Sequence, residues 1–574
     1  MTAPLLAPGY LLLRDAVSTP RSYLSDAALG LSEAAPRALP QDFAVALASG
    51  LLDGGLVVKV LLVLGLFLAG WGAARLAAHV LPEAGVAGEL VAVTLAVWNP
   101  YIAERLLQGH WSLLVGYGCL PWVATAMLSL RTSMAPGRTF LTVRNPGENS
   151  SGKERSLAVP PPQTRWTAVG SLVFWIAVAG LTPTGLMLAA TIAVACAFAP
   201  GSGRSRWWCA TVGLGAALLV AVPWLVAAAM ADSLSSTQAE GVRAFAARAE
   251  PGLGTLGSLA SLGGIWNADA VPASRTTLFV IVAAVVLLGV VAVGLPTVVR
   301  RPAAVPLLIL AAVAVVVPAA MATGPGITVV EATIRTIPGL GVVRDAQKWV
   351  ALAVPAYALA GAGAVVTLRG RIPAAATSVV CCAALIATLP DLAWGVGGKL
   401  TPVQYPAGWT AVSALINADP RPVAVLPVDS MRRFAWAGDT PVLDPLPRWV
   451  RADVLTTGDL TVGGRTVPGE GTRARDVQGL LLEGADRDKL AAAGVGWVVV
   501  ENVWNTGRSA PALPLPVAYR DEGFTLYRVG GDHPAASGRE VVLAAHWVWL
   551  GLLLLAAAAA LRQRSRLRSV RQAD

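Results

Sequence analysis

The sequence predicts a polytopic α-helical membrane protein with one soluble domain near its C-terminus. Hydrophobic residues fill 55% of the 574 positions and charged residues only 14%, whereas an ordinary soluble domain is roughly 25% charged. The apolar residues also fall in runs of about twenty, the length that crosses the hydrocarbon core of a bilayer. The membrane is therefore the expected solvent for most of the chain.

Eleven apolar runs are candidates for membrane-spanning helices. They cover approximately residues 57–79, 85–99, 112–130, 166–181, 185–200, 206–231, 276–298, 303–322, 347–368, 373–391 and 541–561. Several are short for a full crossing. The pair around Thr182 and Pro183 is predicted to be either one tight hairpin or a re-entrant feature, because Pro and Gly are tolerated where protein buries the freed backbone.

Arginine and lysine collect in alternate connections between these runs, and cytoplasmic connections retain positive charge. With eleven spans, all of the following lie on one side: Arg131, Arg138, Arg144, Lys153, Arg155, Arg165, Arg204, Arg206, Arg300, Arg301, Arg369, Arg371 and the tail from Arg562 to Arg571. The opposite, outer side then receives residues 1–56, 101–111, 232–275, 323–346 and 392–540. We predict a multi-pass protein of the plasma membrane with a cytoplasmic C-terminus.

Four regions follow from this topology. Residues 1–56 form an outer N-terminal segment, 57–391 the transmembrane core, 392–540 an extracytoplasmic soluble domain, and 541–574 a last span with a basic tail. The soluble domain mixes strand-like runs at 422–426 and 495–500 with a helix-like run at 478–493. These patterns predict a small α/β or α+β unit.

Composition excludes several classes of function. The net charge of +10 is spread over short segments between apolar runs, so it does not predict a nucleic-acid surface. The five cysteines lie inside apolar runs without metal-ligand spacing, and we interpret them as small core residues. The sequence has no Walker loop, dinucleotide fingerprint or metalloprotease helix, and charged residues within the spans are scarce, which argues against an ion pump.

Two carboxylates of the N-terminal segment, Asp15 and Asp26, lie close to apolar sequence. One functional hypothesis is a general base for an acceptor hydroxyl or a ligand of a divalent cation. The alternative is a solvated loop charge or a helix N-cap. If residues 1–56 are outside, something must carry them across, and we predict either a first helix preceding this sequence or an interfacial segment at Leu5 to Leu13.

The segment 98–111 is unusually polar for a link between two spans. Pro100 is typical of a first helical turn, so Asn99 is predicted as an N-cap and 101–108 as a short interfacial helix that projects Glu104 and Arg105 near the outer surface. A guanidinium suits a phosphate, but an anchoring helix with an internal Glu–Arg ion pair explains the pattern equally well. His110 alone is a weak signal for a base.

A second polar cluster, residues 338–349, leads into a late span. Arg344 and Lys348 are four residues apart and share one face if the helix has begun. Positive charge on the outer side is an exception to the topology rule. This exception favours the hypothesis that the two residues bind an anionic lipid-linked phosphate. The alternative is that these residues snorkel or pair with Asp345.

Taken with these motifs, the whole chain resembles the GT-C class of integral membrane glycosyltransferases. It looks most like the arabinofuranosyltransferase-like proteins of mycobacterial and corynebacterial envelopes. The features that carry the resemblance are Asp15 before the first clear span, the motifs at 99–101, 104–105 and 109–111, Arg344 with Lys348, and the 405–409 segment that opens the soluble domain.

The resemblance implies an inverting enzyme that moves a sugar, arabinofuranose or a hexose, from a polyprenyl-phosphate donor to a cell-envelope glycan or glycolipid. By that resemblance Asp15 is the base with Asp26 in reserve, and both are the candidate ligands of a divalent cation such as Mg²⁺, Mn²⁺ or Ca²⁺. Arg105, Arg344 and Lys348 would hold the donor phosphate, and Glu104, His110 and Asn99 would support them.

Two other hypotheses compete with the transferase. A transporter or flippase for an envelope lipid predicts pseudo-symmetric repeats and broken mid-membrane helices. A non-catalytic envelope-assembly protein predicts that Asp15→Ala leaves cellular function intact. The transferase itself predicts an outer site that holds Asp15 or Asp26 within reach of Arg105, Arg344 or Lys348.

Overall fold

A computed structural model describes residues 1–33, 38–132, 165–230, 239, 241–337, 339–428, 430–462, 464–484, 486–501, 513–534 and 536–573. Most of the basic connection at 131–165, with Arg138, Arg144, Lys153 and Arg155, lies outside the described residues. The orientation predicted from its charge therefore stays a prediction.

The described chain is mostly helical, with strands only at its N-terminus and in its C-terminal region. The helices are α1 Asp26–Leu29, α2 Gln41–Ala48, α3 Gly54–Val80, α4 Gly85–Val97, α5 Pro100–Leu107, α6 Trp111–Thr132, α7 Arg165–Ala179, α8 Pro183–Ala197, α9 Arg206–Met230, α10 Gly254–Ala260, α11 Phe279–Val299, α12 Val305–Met321, α13 Gly324–Thr336, α14 Val354–Leu368, α15 Ala374–Ala387, α16 Ala393–Gly398, α17 Ala407–Ala418, α18 Leu446–Trp449, α19 Thr472–Leu482, α20 Arg487–Ala492 and α21 Arg539–Ala573. The strands are β1 Leu12–Leu13, β2 Ala16–Val17, β3 Val423–Leu426, β4 Met431–Arg432, β5 Val442–Leu443, β6 Val454–Leu455, β7 Leu460–Val462, β8 Arg465–Val467, β9 Trp497–Glu501, β10 Val517–Arg520 and β11 Phe524–Arg528.

Seven described helical segments are long and apolar enough to cross a membrane: Gly54–Val80, Pro82–Leu107, Trp111–Thr132, Arg206–Met230, Phe279–Val299, Ala346–Leu368 and Arg539–Ala559. Two bent pairs raise the number to nine if each is one span: α12 meets α13 at 93°, and α15 meets the turn Pro390–Gly398 at 82°. Helices α7 and α8, with 15 residues each, fall short of the roughly twenty that a crossing needs. The described chain thus has seven to nine candidate spans, and the count of eleven stays a prediction.

The C-terminal region contains a five-stranded mixed sheet in the order β10-β11-β9-β3-β6. Strand β3 pairs in parallel with β6 and β9, and β9, β11 and β10 pair antiparallel. Alternate residues face opposite cores: Val425 packs with Trp409, and Leu426 packs with Leu481, as the period of two in a strand requires. The strands predicted at 422–426 and 495–500 are confirmed as β3 and β9.

The helix-like run predicted at 478–493 is helical in two pieces, the end of α19 and all of α20, with a break between them. Helix α19 ends near Gly484, which has a φ of 76°, and glycine adopts this left-handed conformation without a Cβ penalty. A new helix then begins because the Asp486 side chain accepts a hydrogen bond from the Lys489 backbone N–H at 2.9 Å. The caps at Gly484 and Asp486 therefore divide the run into two helices, although its apolar residues recur with the period of one continuous helix.

The N-terminal segment contains a β-hairpin between the helical core and the C-terminal domain. Leu12 and Val17 pack into the same core as Trp409, whereas Leu13 and Ala16 pack against the helices. The predicted interfacial placement of Leu5 to Leu13 is therefore wrong for its last residues, because protein buries them on both faces.

The five cysteines are free thiols. Cys119, Cys196, Cys209 and Cys381 are buried and Cys382 is half-buried, in agreement with their interpretation as small core residues.

Two carboxylates share one arginine inside the C-terminal domain. Arg432 Nε donates to Glu501 at 2.7 Å, and Arg432 Nη2 lies 3.7 Å from Asp444. Burial raises the pKa of Glu501 to about 8, and the negative charge of Asp444 adds to the rise. Burial also raises the pKa of Asp444. We infer that this pair of carboxylates holds one proton at neutral pH.

This pair predicts that the domain loses stability as pH rises. The folded domain binds a proton that the unfolded chain has released above its ordinary pKa, so the contribution is complete below about pH 4 and is lost toward pH 8. Hydrogen exchange of β9 in the intact protein, corrected for intrinsic rates, should show protection falling by about tenfold or more between pH 5 and 8, the effect of a single pKa unit. Glu501→Gln should flatten that dependence, and an unchanged slope would contradict the prediction.

Candidate functional site

Helix α5 sets the geometry of the polar cluster. The Asn99 side chain accepts a hydrogen bond from the Ile102 backbone N–H at 3.1 Å and donates to the Leu95 carbonyl at 2.9 Å and to the Tyr117 hydroxyl at 3.1 Å. The predicted N-cap and short helix are therefore confirmed. The predicted interfacial placement is wrong, because every residue of Pro100–Leu107 is buried.

Arg105 is the centre of the cluster and is fully buried. Its guanidinium donates to both carboxylate oxygens of Asp345, at 2.9 and 3.1 Å, and also to the Gln347 Oε1. Nη1 lies 3.1 Å from His110 Nδ1. Both terminal nitrogens of Arg105 thus donate to protein acceptors, whereas Nε has no hydrogen-bond partner among the described residues. These contacts let Arg105 position His110 and Asp345, and its role as a direct phosphate ligand stays a prediction.

His110 joins this network to Asp15. Arginine has no acceptor atoms, so His110 Nδ1 must accept from Arg105, and in a neutral ring Nε2 then carries the proton. Nε2 lies 2.9 Å from Asp15 Oδ2, which also accepts from Gln108 Nε2 at 3.1 Å. The carboxylate is therefore oriented by two donors, one of which is oriented by Arg105.

Asp15 lies in the two-residue turn of the hairpin between β1 and β2. Its side chain is 35% exposed, and Oδ1 has no hydrogen-bond partner among the described residues. Burial opposes ionisation, but the hydrogen bonds from His110 and Gln108 and the positive charge of Lys348 prevail and lower the pKa of Asp15. Burial lowers the pKa of His110 despite Asp15. At neutral pH the pair is an ionised carboxylate next to a neutral imidazole.

Asp345 and Lys348 complete the cluster. Lys348 Nζ lies 3.6 Å from Asp345 Oδ2, and the lysine side chain is 23% exposed. Burial opposes the charged form of Asp345, but Arg105 and Lys348 lower its pKa well below the usual range. Lys348 thus forms the ion pair with Asp345 that was the alternative prediction.

Arg344 does not share a helical face with Lys348. Arg344 ends the 3₁₀ helix Leu340–Arg344, Lys348 lies in the 3₁₀ helix Ala346–Ala353, and Asp345 breaks the chain between them with a ψ of 82°. The Arg344 guanidinium lies 4.3 Å from the centroid of the Phe245 ring. The sequence argument assumed a continuous α-helix, and this break invalidates it.

Glu104 contacts a different part of the molecule from Arg105. Its carboxylate accepts hydrogen bonds from the backbone N–H groups of Gly264 and Ile265 at 3.2 and 3.1 Å, and from Gln347 Nε2 at 3.0 Å. The predicted ion pair between Glu104 and Arg105 is therefore replaced by separate partners. Gln347 connects the two, since its Oε1 accepts from Arg105.

Asp26, the reserve base, lies outside this cluster. It is the first residue of α1, and its carboxylate pairs with Arg539 at the start of α21. Among the described residues, Asp15 and Asp26 have no common hydrogen-bond partner. In the described ranges no group of three or more His, Cys, Asp or Glu side chains is placed to hold a metal ion, and the metal role of these two carboxylates stays a prediction.

Several positioning residues were missed from the sequence. Asn267 Nδ2 donates to Gln108 Oε1 at 2.7 Å, which orients the Gln108 amide toward Asp15. Arg14 donates to the Leu107 carbonyl and, at 2.6 Å, to the Asp269 carbonyl. Polar residues beside Asp15 and inside the 98–111 segment were the available signal for Arg14 and Gln108, whereas Asn267 carried none.

Gly109 sets the distance between the hairpin and α5. It has a φ of 83°, and a Cβ there would lie 2.3 Å from both the Ala16 nitrogen and the Leu13 oxygen. These are backbone atoms, so the hairpin would have to shift. A shift of about 1 Å in a reacting group costs on the order of a hundredfold in rate.

Gly109→Ala should therefore reduce the activity of the protein in cells by about a hundredfold. The measurement is complementation of a strain from which the gene has been deleted. Gly85→Ala is the matched control, because Gly85 also has a positive φ, of 56°, but a Cβ there would meet nothing within 4 Å. Equal activities for the two variants would contradict this account of the hairpin.

Comparison of the chain with protein-family models, curated proteins and solved structures found no match. The fold and site therefore define a class only in coarse terms. The described part of the chain has seven to nine helices long and apolar enough to cross a membrane and a small sheet-containing C-terminal region. Between the two lies a buried charged network that ends at one accessible carboxylate.

Proposed function

We propose that the protein is a membrane glycosyltransferase of the GT-C type, with Asp15 as its general base. The observation that carries the proposal is the geometry of the Asp15 carboxylate. Oδ2 is held by hydrogen bonds from His110 and Gln108, and Oδ1 has no partner among the described residues. The side chain is partly exposed. A base needs a held carboxylate with a free edge for the incoming hydroxyl.

In the proposed reaction, Asp15 Oδ1 takes the proton of an acceptor hydroxyl while the oxygen of that hydroxyl attacks the anomeric carbon of the donor sugar. The bond from that carbon to the donor phosphate breaks, and the polyprenyl phosphate leaves with the bonding electrons. Attack opposite the leaving group inverts the anomeric centre. The ionised state of Asp15 at neutral pH, which His110 favours, supports this role.

Lys348 is the cation best placed to hold the leaving phosphate. Its side chain is partly exposed and belongs to the same network as Asp15, through Asp345, Arg105 and His110. Arg344 remains the second candidate; it ends the 3₁₀ helix Leu340–Arg344, eight residues beyond the end of Gly324–Thr336. The proposed step uses only the protein's own residues, and the divalent cation stays a prediction.

Envelope analysis of a deletion strain tests the proposal. Loss of a transferase should remove a sugar residue from an envelope glycan or glycolipid while the polyprenyl-phosphate sugar accumulates. The wild-type gene should restore both. An unchanged glycan together with an unchanged donor pool would overturn the proposal.

One observation favours the alternative of a lipid transporter. The bent pairs α12 with α13 and α15 with Pro390–Gly398 are either broken spans or re-entrant features, and broken helices occur at transporter sites. A transporter predicts that the complete lipid-linked product accumulates on the wrong leaflet in the deletion strain, whereas a transferase predicts accumulation of the unused donor.

A further inference from the structure

The described part of the segment 239–276 forms a cavity of about 330 Å³. Its lining includes Arg248, Glu250, Arg275 and Thr276, together with the backbone of Gly264 and Ile265. A water molecule occupies about 30 Å³ of liquid, so the cavity has room for a small ligand rather than a single ion. None of these residues contributes a side chain to the Asp15 cluster.

Arg275 is 1% exposed and lines this cavity. Its Nε donates to one oxygen of Glu250 at 2.6 Å, and its Nη2 donates to the other oxygen and to Ser261 Oγ, the latter at 2.8 Å. Nη1 has no hydrogen-bond partner among the described residues. A buried guanidinium with an unused donor beside a cavity is a ready hydrogen-bonding group for a ligand.

The remaining side chains indicate the sign of the charge on that ligand. Each oxygen of Glu250 accepts a hydrogen bond from Arg275, and this ion pair offsets the negative charge of Glu250. Arg248 is an exposed guanidinium on the same lining. The three charged side chains sum to one positive charge, and the unused groups of the two arginines are donors. Such a lining suits an anionic ligand rich in acceptor oxygens.

We infer that this cavity binds a phosphate group, held by Arg275 Nη1 and the Arg248 guanidinium. Arginine forks match the oxygen geometry of phosphate. The phosphate is either free or carried by a lipid, and the cavity's chemistry is common to both. This inference does not depend on the proposed transferase reaction.

The cavity is connected to the Asp15 cluster by backbone. Gly264 and Ile265 line it, and their N–H groups donate to Glu104. Further along the same segment, Asn267 orients Gln108. An occupant of the cavity therefore contacts the segment that positions the partners of Asp15.

The test measures binding to the full-length protein in detergent by calorimetry, with inorganic phosphate and farnesyl phosphate as probes and farnesol as the uncharged control. We expect at least one phosphate probe to bind and farnesol to bind at least tenfold more weakly than farnesyl phosphate. Binding of both phosphates indicates a site for the free ion, whereas binding of farnesyl phosphate alone indicates a lipid-borne group. Absence of binding by both phosphates would overturn the inference.

Arg248→Gln should weaken phosphate binding by about tenfold, the effect of losing a charge-assisted hydrogen bond. Arg243→Gln is the matched control, since Arg243 is exposed in the same segment but does not line the cavity. Because Arg275→Gln alone would leave Glu250 buried without its partner, the second variant is Glu250→Gln with Arg275→Gln, which removes both charges and should abolish binding.

Phosphate affinity that is unchanged in both the Arg248 variant and the double variant would reject the site. Asp15→Asn should leave phosphate binding at the wild-type level. A failure of the transferase proposal would therefore be seen in the activity of the Asp15 variant, and a failure of the cavity proposal in the affinity of the arginine variants.

Discussion

Asp15→Asn should reduce sugar transfer by about a hundredfold to ten-thousandfold, the range of general acid–base catalysis. The amide keeps the size of the side chain and can still accept from His110, so the fold should be retained. It cannot take a proton from the acceptor hydroxyl. Complementation of the deletion strain, read as envelope glycan composition and lipid-linked sugar, measures the effect, and full rescue by the variant would remove the catalytic assignment.

Asp26→Asn is the matched control for this result. Asp26 is also a carboxylate of the N-terminal segment, but it pairs with Arg539 on a surface where the two side chains are 20% and 41% exposed. Such pairs contribute about 0–1 kcal/mol to stability. The Asp26 variant should therefore transfer sugar at a near wild-type rate, and loss of transfer here with retention in Asp15→Asn would reverse the roles assigned to the two residues.

Local chemistry explains which parts of the fold were predictable from sequence. Asn99 followed by Pro100 specifies a helix start through its own backbone, and the apolar runs specify helices through length alone. The strands at 422–426 and 495–500 were visible because both faces of β3 and β9 are buried. The number of crossings was less predictable, because apolar composition does not determine whether a short or bent helix spans the bilayer.

The contacts that make the site were not predictable from spacing. His110 and Asp15 are 95 residues apart, and Arg105 and Asp345 are 240 apart. The sequence identified four of these side chains as notable, but the topology decides which of them meet. The topology brings Asp15, Arg105 and Lys348 into one network and places Asp26 outside it.

The hairpin connects the sheet-containing C-terminal region, called the C-terminal domain above, to the site. Leu12 and Val17, on either side of Asp15, pack into the core of that domain with Trp409. The Leu443 backbone N–H donates to the Arg14 carbonyl at 2.9 Å. The position of the proposed base therefore depends on the domain as well as on α5, which gives the domain a positioning role in the proposed reaction.

Asp345→Asn should lower the free energy of unfolding by about 3–5 kcal/mol, because it leaves the Arg105 charge buried without a counter-charge. Arg105 is fully buried, and both of its bonds to Asp345 would lose their charged acceptor. The loss of the carboxylate also frees Arg105 to shift away from His110. We expect thermal unfolding in detergent at a markedly lower temperature, together with reduced sugar transfer.

Two further variants separate an orphaned charge from general damage. Asp419→Asn removes a carboxylate that pairs with Arg421, and those side chains are 32% and 35% exposed, so this variant should cost no more than about 1 kcal/mol. Replacing Arg105 with Met and Asp345 with Leu together removes both charges, and apolar replacement of a buried pair is often neutral. The double variant should recover most of the stability lost in Asp345→Asn while remaining inactive, since His110 would have lost its donor. A double variant less stable than Asp345→Asn would show that the pair stabilises the fold by more than mutual neutralisation.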